Sequence, residues 1–385
     1  MAVMKVGLIG CGMIAKCNHI PEMLTLDKKA QIVAMFDTVK GKAKKLAEEQ
    51  KLDPMPVICK SEKELLAMDL DAVIIATPNS FHYPQTIAAL KAGKHVLVEK
   101  PMSTTTAEAD EMIALAEKKG LILQVNQSWH YMAPYVMLQD LIANKGLIGK
   151  PLHARCLRCS HASPEIAWSP GADWFVQKKY HGSLIGDIAV HMADILQWMY
   201  GPAKTVQAQN TELKHEVVDN TIALFRYENG ATGTVELSWT FPHGAGAMEF
   251  YGEKASVCVN AESNGFIVRE NGKKDKLIPF TKAKKVDNSH QAFYKAVKSG
   301  KNDIRAWEIG RRAIAICCAM NEAGETGGSV TPDYGAAAAK EKTTVKKAAS
   351  AAKKKTTVKK AATAAKKITT VKKAAPAAKK EGKKK

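Results

Sequence analysis

Long apolar runs are missing from this 385-residue chain. Nothing in it approaches the roughly 18 consecutive apolar residues that read as a membrane span. Residues 3–9 are too short for the apolar core of a secretory leader and run straight into glycine, so no signal peptide is expected. A cysteine framework is missing too. Eight cysteines are scattered, and the one C-x-x-C, Cys156 and Cys159, sits in residues 152–160, which alternate like a strand. Residues three apart on a strand face opposite sides, so no metal site is expected there. Cys317 and Cys318 fall on a helical pattern and read as packing residues. Unpaired cysteines suit a reducing cytoplasm. Acidic residues run short in one place only: residues 336–385 hold 18 lysines and two glutamates, which leaves a net charge of +3 on residues 1–335 out of +19 overall. The basic balance therefore belongs to a tail, not to the globular part.

Apolar runs and helical patterns alternate through the first third of the chain. Strands are expected at 4–9, 31–36, 71–76, 95–99 and 121–126, and residues 57–59 form a short apolar run. Helices are expected at 13–26, 40–50, 84–92 and 105–119, with capping boxes at Ser61/Glu64 and Thr105/Glu108. That rhythm predicts a doubly wound parallel sheet. After residue 150 it changes. Strand-like runs at 206–209, 222–227, 232–240, 248–251, 256–259 and 265–269 are joined by turns. Helical segments lie at 184–199, 291–298 and 307–321. This predicts an α+β region with a mainly antiparallel sheet. The expected division is a dinucleotide-binding domain (1–126), an α+β substrate and oligomerisation domain (127–335) and a disordered tail (336–385).

Gly10-Cys11-Gly12-Met13-Ile14-Ala15 follows the first strand and opens a helix. Gly10 would allow the tight turn, Gly12 would let the backbone approach a pyrophosphate, and Ala15 would let helix and strand pack closely. Phosphates would rest on the N–H groups of the helix start. Asp37 ends the second strand, where a carboxylate can bind a ribose diol and repel a 2′-phosphate. NAD is therefore the expected cofactor, with NADP kept open by Lys40 and Lys42. Ala76-Thr77-Pro78-Asn79 and Glu99-Lys100-Pro101 end two further strands at the same sheet edge, where open α/β sheets bind ligands. Pro101, with no N–H to donate, stops its strand and leaves the Lys100 ammonium at that edge. His82, expected at the start of a helix, is a further candidate contact. In the second region, Asp187 and His191 stand four apart on an apolar helical run and share one face. Gly186 beside them costs about 1 kcal/mol in a helix, which a close backbone approach would explain.

The series G-x-G-x-x-A, Asp, A-T-P-N-x-x-H, E-K-P and G-x-D-x-x-x-H resembles the glucose–fructose oxidoreductase/inositol dehydrogenase (Gfo/Idh/MocA) family over about residues 4–332. The stretch His181-Gly182-Ser183 is less glycine-rich than that family's pattern. The resemblance implies a Rossmann domain, an antiparallel sheet used in homo-oligomerisation as dimer or tetramer, and NAD(P)-linked oxidation or reduction of a sugar or cyclitol. It also implies that Lys100, Asp187 and His191 carry the chemistry. Histidine's unperturbed pKa of about 6.5 suits a general acid/base. Asp187 would fix its tautomer or hold a substrate hydroxyl. Lys100 would steady negative charge on the reacting oxygen, or act as the base itself if burial lowers its pKa. Gln127, Trp129, Arg155, Asp173 and Trp174 are candidate substrate contacts.

The tail repeats T-T-V-K-K-A-A-x-A-A-K-K-x three times and resembles linker-histone tails. Clustered lysines bind phosphate backbones without reading sequence, and with no aromatics among them base stacking is not expected. Three functions are compatible with these features. One is a sugar or cyclitol dehydrogenase, cytoplasmic or held at the nucleoid by its tail. Another is a nucleotide-sugar dehydrogenase or reductase. The last is a non-catalytic NAD sensor bound to the nucleoid, which would have no need of the Lys/Asp/His set.

Overall fold

In this computed structural model the described residues are 2–260, 262–301 and 304–335. The tail, with every expectation attached to it, lies outside them. Residues Met1–Asp333 cluster as one compact unit.

Its first half is a six-stranded parallel sheet: β1 (Met4–Ile9), β2 (Ala30–Phe36), β3 (Val57–Ile58), β4 (Ala72–Ile75), β5 (His95–Glu99) and β6 (Leu123–Asn126). Their order across the sheet is β3-β2-β1-β4-β5-β6. Chain order reverses between β1 and β4, the crevice where such sheets take ligands. The apolar runs are unbroken because both faces are covered: Val73, Ile74, Ile75, Val96, Leu97 and Val98 are fully buried. Gly7 lies on β1 where a Cβ would come within 2.8 Å of Leu65 and Leu70, so the helix Glu62–Ala67 can press against the strand.

Helix boundaries follow local chemistry. Thr105 caps Thr106–Lys119 with a full capping box, and Gly120 ends it in the left-handed region. At Ser61 the box is only half closed. Ser61 accepts from the Glu64 N–H, while Glu64 reaches back to the N–H of Lys60 rather than of Ser61. The helix expected from residue 84 begins at Asn79 instead, with Pro84 inside it. Proline favours the first turn of a helix, which is why residue 84 reads as a start; here it sits inside the helix and removes one backbone donor.

The second sheet holds β7 (Pro151–Cys159), β8 (Ala203–Thr211), β9 (Asn220–Tyr227), β10 (Thr232–Ser238), β11 (Ala245–Gly252), β12 (Ser256–Asn260), β13 (Gly265–Arg269) and β14 (Lys276–Pro279). Their order is β14-β13-β12-β11-β7-β10-β9-β8. All pairings are antiparallel except β7 with β10. β14 is too short to stand out as a strand in the sequence. Helices Val190–Tyr200 and Ile304–Thr326 cover the inner face, and the latter also touches β6 and the helix Thr106–Lys119. The helix Ser289–Ser299 sends Phe293 into the core beneath β1 and β2. A division at residue 126 therefore separates the two sheets but not their packing.

Candidate active site

The turn after β1 carries the first cluster. Gly10 sits at φ +91°, and a Cβ there would meet the Ala76 carbonyl at 2.4 Å, so only glycine fits. A Cβ on Gly12 would meet nothing within 4 Å: its backbone faces an open cleft. Ala15 is fully buried beneath the loop. Asp37 accepts hydrogen bonds from the Cys11 and Val39 N–H groups, both at 2.8 Å, and lies 3.4 Å from the Lys42 ammonium. A carboxylate has about four acceptor sites, so capacity remains for hydroxyls. Burial, with the Asp37 charge, pushes the Cys11 thiol up to about 12. It therefore packs as a neutral group and offers the cleft its backbone. Met13 and Ile14 complete this wall.

The cleft encloses about 1450 Å³ and is also lined by Ala76, Thr77, Pro78, Asn79, Glu99 and Lys100. Asn79 donates to the His181 carbonyl at 3.1 Å. A Cβ on Gly186 would stand 3.3 Å from the Asn79 amide, the close approach its sequence position suggested. His82 departs from expectation. It is buried away from the cleft, its ring nitrogens 2.7 Å from the Pro101 carbonyl and 2.8 Å from that of Thr77. It fastens the two strand-end turns to each other and does not reach the cofactor crevice.

Glu99 heads a buried chain that nothing in the sequence announced. Its carboxylate lies 3.0 Å from His19 Nε2, His19 Nδ1 lies 2.9 Å from His290 Nε2, and His290 Nδ1 lies 2.7 Å from Glu22. Burial would raise the Glu99 carboxyl, but His19, Asn126 and the Lys100 charge together bring it below its ordinary range. Glu99 is thus a rigid anion that sets the start of the Lys100 turn, whose N–H it accepts at 3.0 Å.

Across the cleft, residues Ile185–Ala189 form a wide π-helical turn leading into the helix Val190–Tyr200. Such turns often mark functional sites. Lys100 Nζ donates to Asp187 Oδ1 at 2.7 Å and to the Asp187 carbonyl at 3.0 Å. Asp187 does not hold His191: among the described residues its Oδ2 and His191 Nδ1 are both buried without a partner. The imidazole is steadied instead by stacking on Trp129, at 5.1 Å and 15°. Burial, then the Lys100 and Arg158 charges, lowers the His191 pKa well below its usual value. A neutral base, an ammonium and an unsatisfied carboxylate oxygen thus meet in one cleft.

The other candidates divide. Trp174 and Asp173 line the cleft on a short helical turn, and Trp174 stacks on Phe175 at 3.7 Å. Gly182 seats that turn, since a Cβ there would strike the Trp174 and Phe175 carbonyls at 2.3 Å, and His181 takes the left-handed φ of +53° without being glycine. Gln127 is buried, donating to the Val190 carbonyl and to Asp194, so it braces the helix Val190–Tyr200 and lies outside the cleft lining. Arg155 is likewise corrected: on β7 it forms a two-point pair with Glu236 at 2.7 and 2.9 Å, outside the cleft. Arg158, three residues on and so on the opposite strand face, lines the cleft in its place.

A doubly wound sheet with a glycine turn, an acidic second-strand end, and a lysine and histidine facing across the same crevice defines a nicotinamide-dependent oxidoreductase. Residues 4–127 match the model of an oxidoreductase family with an NAD-binding Rossmann fold, GFO/IDH/MocA, and residues 135–258 match the GFO/IDH/MocA C-terminal domain. Together these span more than half of the chain, which belongs to that family. Its Rossmann domain binds NAD(H). The chain is 27% identical over 331 residues to 1,5-anhydro-D-fructose reductase of Ensifer adhaerens, covering 83% of this chain and 96% of the relative. It is 25% identical over 328 residues to myo-inositol 2-dehydrogenase of Thermotoga maritima, covering 81% and 94%. A levoglucosan dehydrogenase structure in complex with NADH shares the fold at TM-score 0.74 and 22% identity, over 86% of this chain and 99% of that one. No helix among the described residues is long and apolar enough to cross a membrane.

Proposed function

We propose that the protein interconverts a secondary alcohol of a sugar or cyclitol and the corresponding ketone, using NAD. The observation that carries this is the Lys100–Asp187 pair beside a neutral His191 at the strand edge where the glycine turn opens. When bound, the nicotinamide supplies the hydride acceptor or donor. Gly10, Gly12 and the helix start would hold the pyrophosphate, and Asp37 the adenosine ribose. Of the chain's own groups, His191 would take the hydroxyl proton, and Lys100 would hold the oxygen as negative charge develops. Asp187 Oδ2 would accept from a neighbouring hydroxyl, which a polyol supplies. The test is a screen of sugars, sugar acids and cyclitols followed by NADH absorbance at neutral pH. Reduction of NAD by at least one polyol is expected, with NADP poorer. In Asp37→Ser the KM for NAD rises about tenfold or more, as a charged hydrogen-bond acceptor is lost. Absence of turnover with every polyol, in either direction, counts against the reading. A nucleotide sugar as the only accepted substrate moves the reading to the nucleotide-sugar alternative.

Two assembly features belong to the same proposal. The outer face of the second sheet exposes Ile222, Leu224, Tyr251 and Leu277, an apolar surface suited to pairing with another copy. The lysine repeats of residues 336–385 suit a phosphate backbone or other polyanion. Eight free cysteines fit a reducing cytoplasm. Sedimentation should give a dimer or tetramer. Added DNA should shift it at low salt only, and not after removal of residues 336–385; a monomer, or a shift that survives the truncation, refutes the respective part.

A further inference from the structure

Charge is closely balanced around the reacting groups, with one exception. Lys100 is paired with Asp187, and on the outer face of the sheet Arg155 is paired with Glu236. Arg158 is exposed on the cleft wall and makes no side-chain hydrogen bond or ion pair among the described residues. Its register explains why nothing covers it. Arg158 stands opposite Gly246 of β11, which has no side chain, and opposite Leu237 of β10, which is apolar. Trp129 stacks between His191 and Tyr135, at 5.1 and 4.7 Å, and the Arg158 charge acts on both outer rings of that stack. The guanidinium lines the same cleft as Lys100, Asp187 and His191. Elsewhere in the cleft lining, Lys179 lies over the Tyr180 ring at 4.9 Å.

A guanidinium is never deprotonated in proteins and presents a planar fork that matches an oxyanion. Leaving one unpaired beside a base also acts against catalysis in one respect, since its charge lowers the basicity of His191. A bound anion would remove that penalty while anchoring the substrate. We infer that Arg158 is the specificity-determining residue of this cleft, and that it selects a sugar or cyclitol carrying an oxyanion, a carboxylate or a phosphate. This rests on the dehydrogenase reading above and narrows its substrate class.

The experiment uses matched compounds: D-glucose, D-glucuronate and D-glucose 6-phosphate, then myo-inositol and its monophosphate. Each is titrated into the NADH-loaded full chain, read by tryptophan fluorescence, and each is offered as substrate with NAD. At least one anionic member should bind about tenfold or more tightly than its neutral partner, the scale of one charge-assisted two-point contact. Whether the carboxylates or the phosphates hold the advantage identifies the oxyanion. Arg158→Ala should abolish the gap through the anionic arm, and Arg158→Lys should restore part of it. An unchanged melting temperature shows that each variant is folded. Equal or tighter binding of the neutral members by the wild type, or a gap that persists in Arg158→Ala, overturns the inference. Binding needs no turnover, so the two readings fail separately. Anionic binding without turnover sinks the dehydrogenase and keeps Arg158, whereas turnover with no anionic advantage does the reverse.

Discussion

Lys100→Met is expected to lower kcat by about 10²–10³-fold, the scale of losing one positioned donor to a developing oxyanion, and to leave the affinity for NAD within experimental error. The reasoning starts at the strand end. β5 stops at Glu99, and Lys100 is the first residue past it, held by its own N–H to the Glu99 carboxylate. Among the described residues its ammonium donates to the Asp187 carboxylate and carbonyl. Methionine keeps the length and removes the charge. It also strands the Asp187 carboxylate, which is only 5% exposed. Breaking a fully buried pair from one side costs about 3–5 kcal/mol; the open cleft beside Asp187 lets water or a proton relieve much of that. Stability and catalysis can be told apart with Lys100→Met/Asp187→Asn. The double variant should recover the melting temperature of the wild type and none of its kcat. Full turnover by Lys100→Met, with NAD bound normally, would show that the ammonium serves only to pin the helix.

Much of this site was legible in the sequence because its parts are local. A buried parallel strand must read as an apolar run, so 71–76 and 95–99 stand out, and the residues just past each run must lie at the sheet edge. The glycines of the first turn announce themselves through the backbone they require. Asp187 and His191 are four apart, which any helical turn places on one side. The features hidden from the sequence depend on register or on long-range closure. Arg155 and Arg158 have equal claims until β7 is paired, and pairing sends one outward to Glu236 and the other into the cleft. Gln127 and His82 are polar residues at the right place in the chain, but both turn inward to carbonyls. His19 and His290 are 271 residues apart, and only the return of the helix Ser289–Ser299 under the first sheet brings them into one chain with Glu99. The expectation that Asp187 fixes the His191 tautomer stays unmet for a similar reason: the lysine that claims the carboxylate comes from the other sheet.

His191 carries the second large effect. His191→Gln is expected to reduce kcat by about 10²–10⁴-fold, the usual contribution of a general acid/base, and to change the shape of the pH profile. In the wild type the base must be neutral to accept a proton. Burial lowers its pKa well below the usual value, and the Lys100 and Arg158 charges lower it further. The acid limb of kcat/KM should therefore fall well below about pH 6.5, the position of an unperturbed imidazole. The sign is fixed by the cations. Removing one of them raises the His191 pKa, so Arg158→Ala should move the acid limb upward in pH while His191→Gln removes it. Stacking on Trp129 gives a further check: Trp129→Leu keeps the imidazole and its charge neighbours but frees the ring to turn. It should lower kcat without abolishing the limb. A profile whose acid limb is the same in the wild type and in His191→Gln would assign the proton to another group.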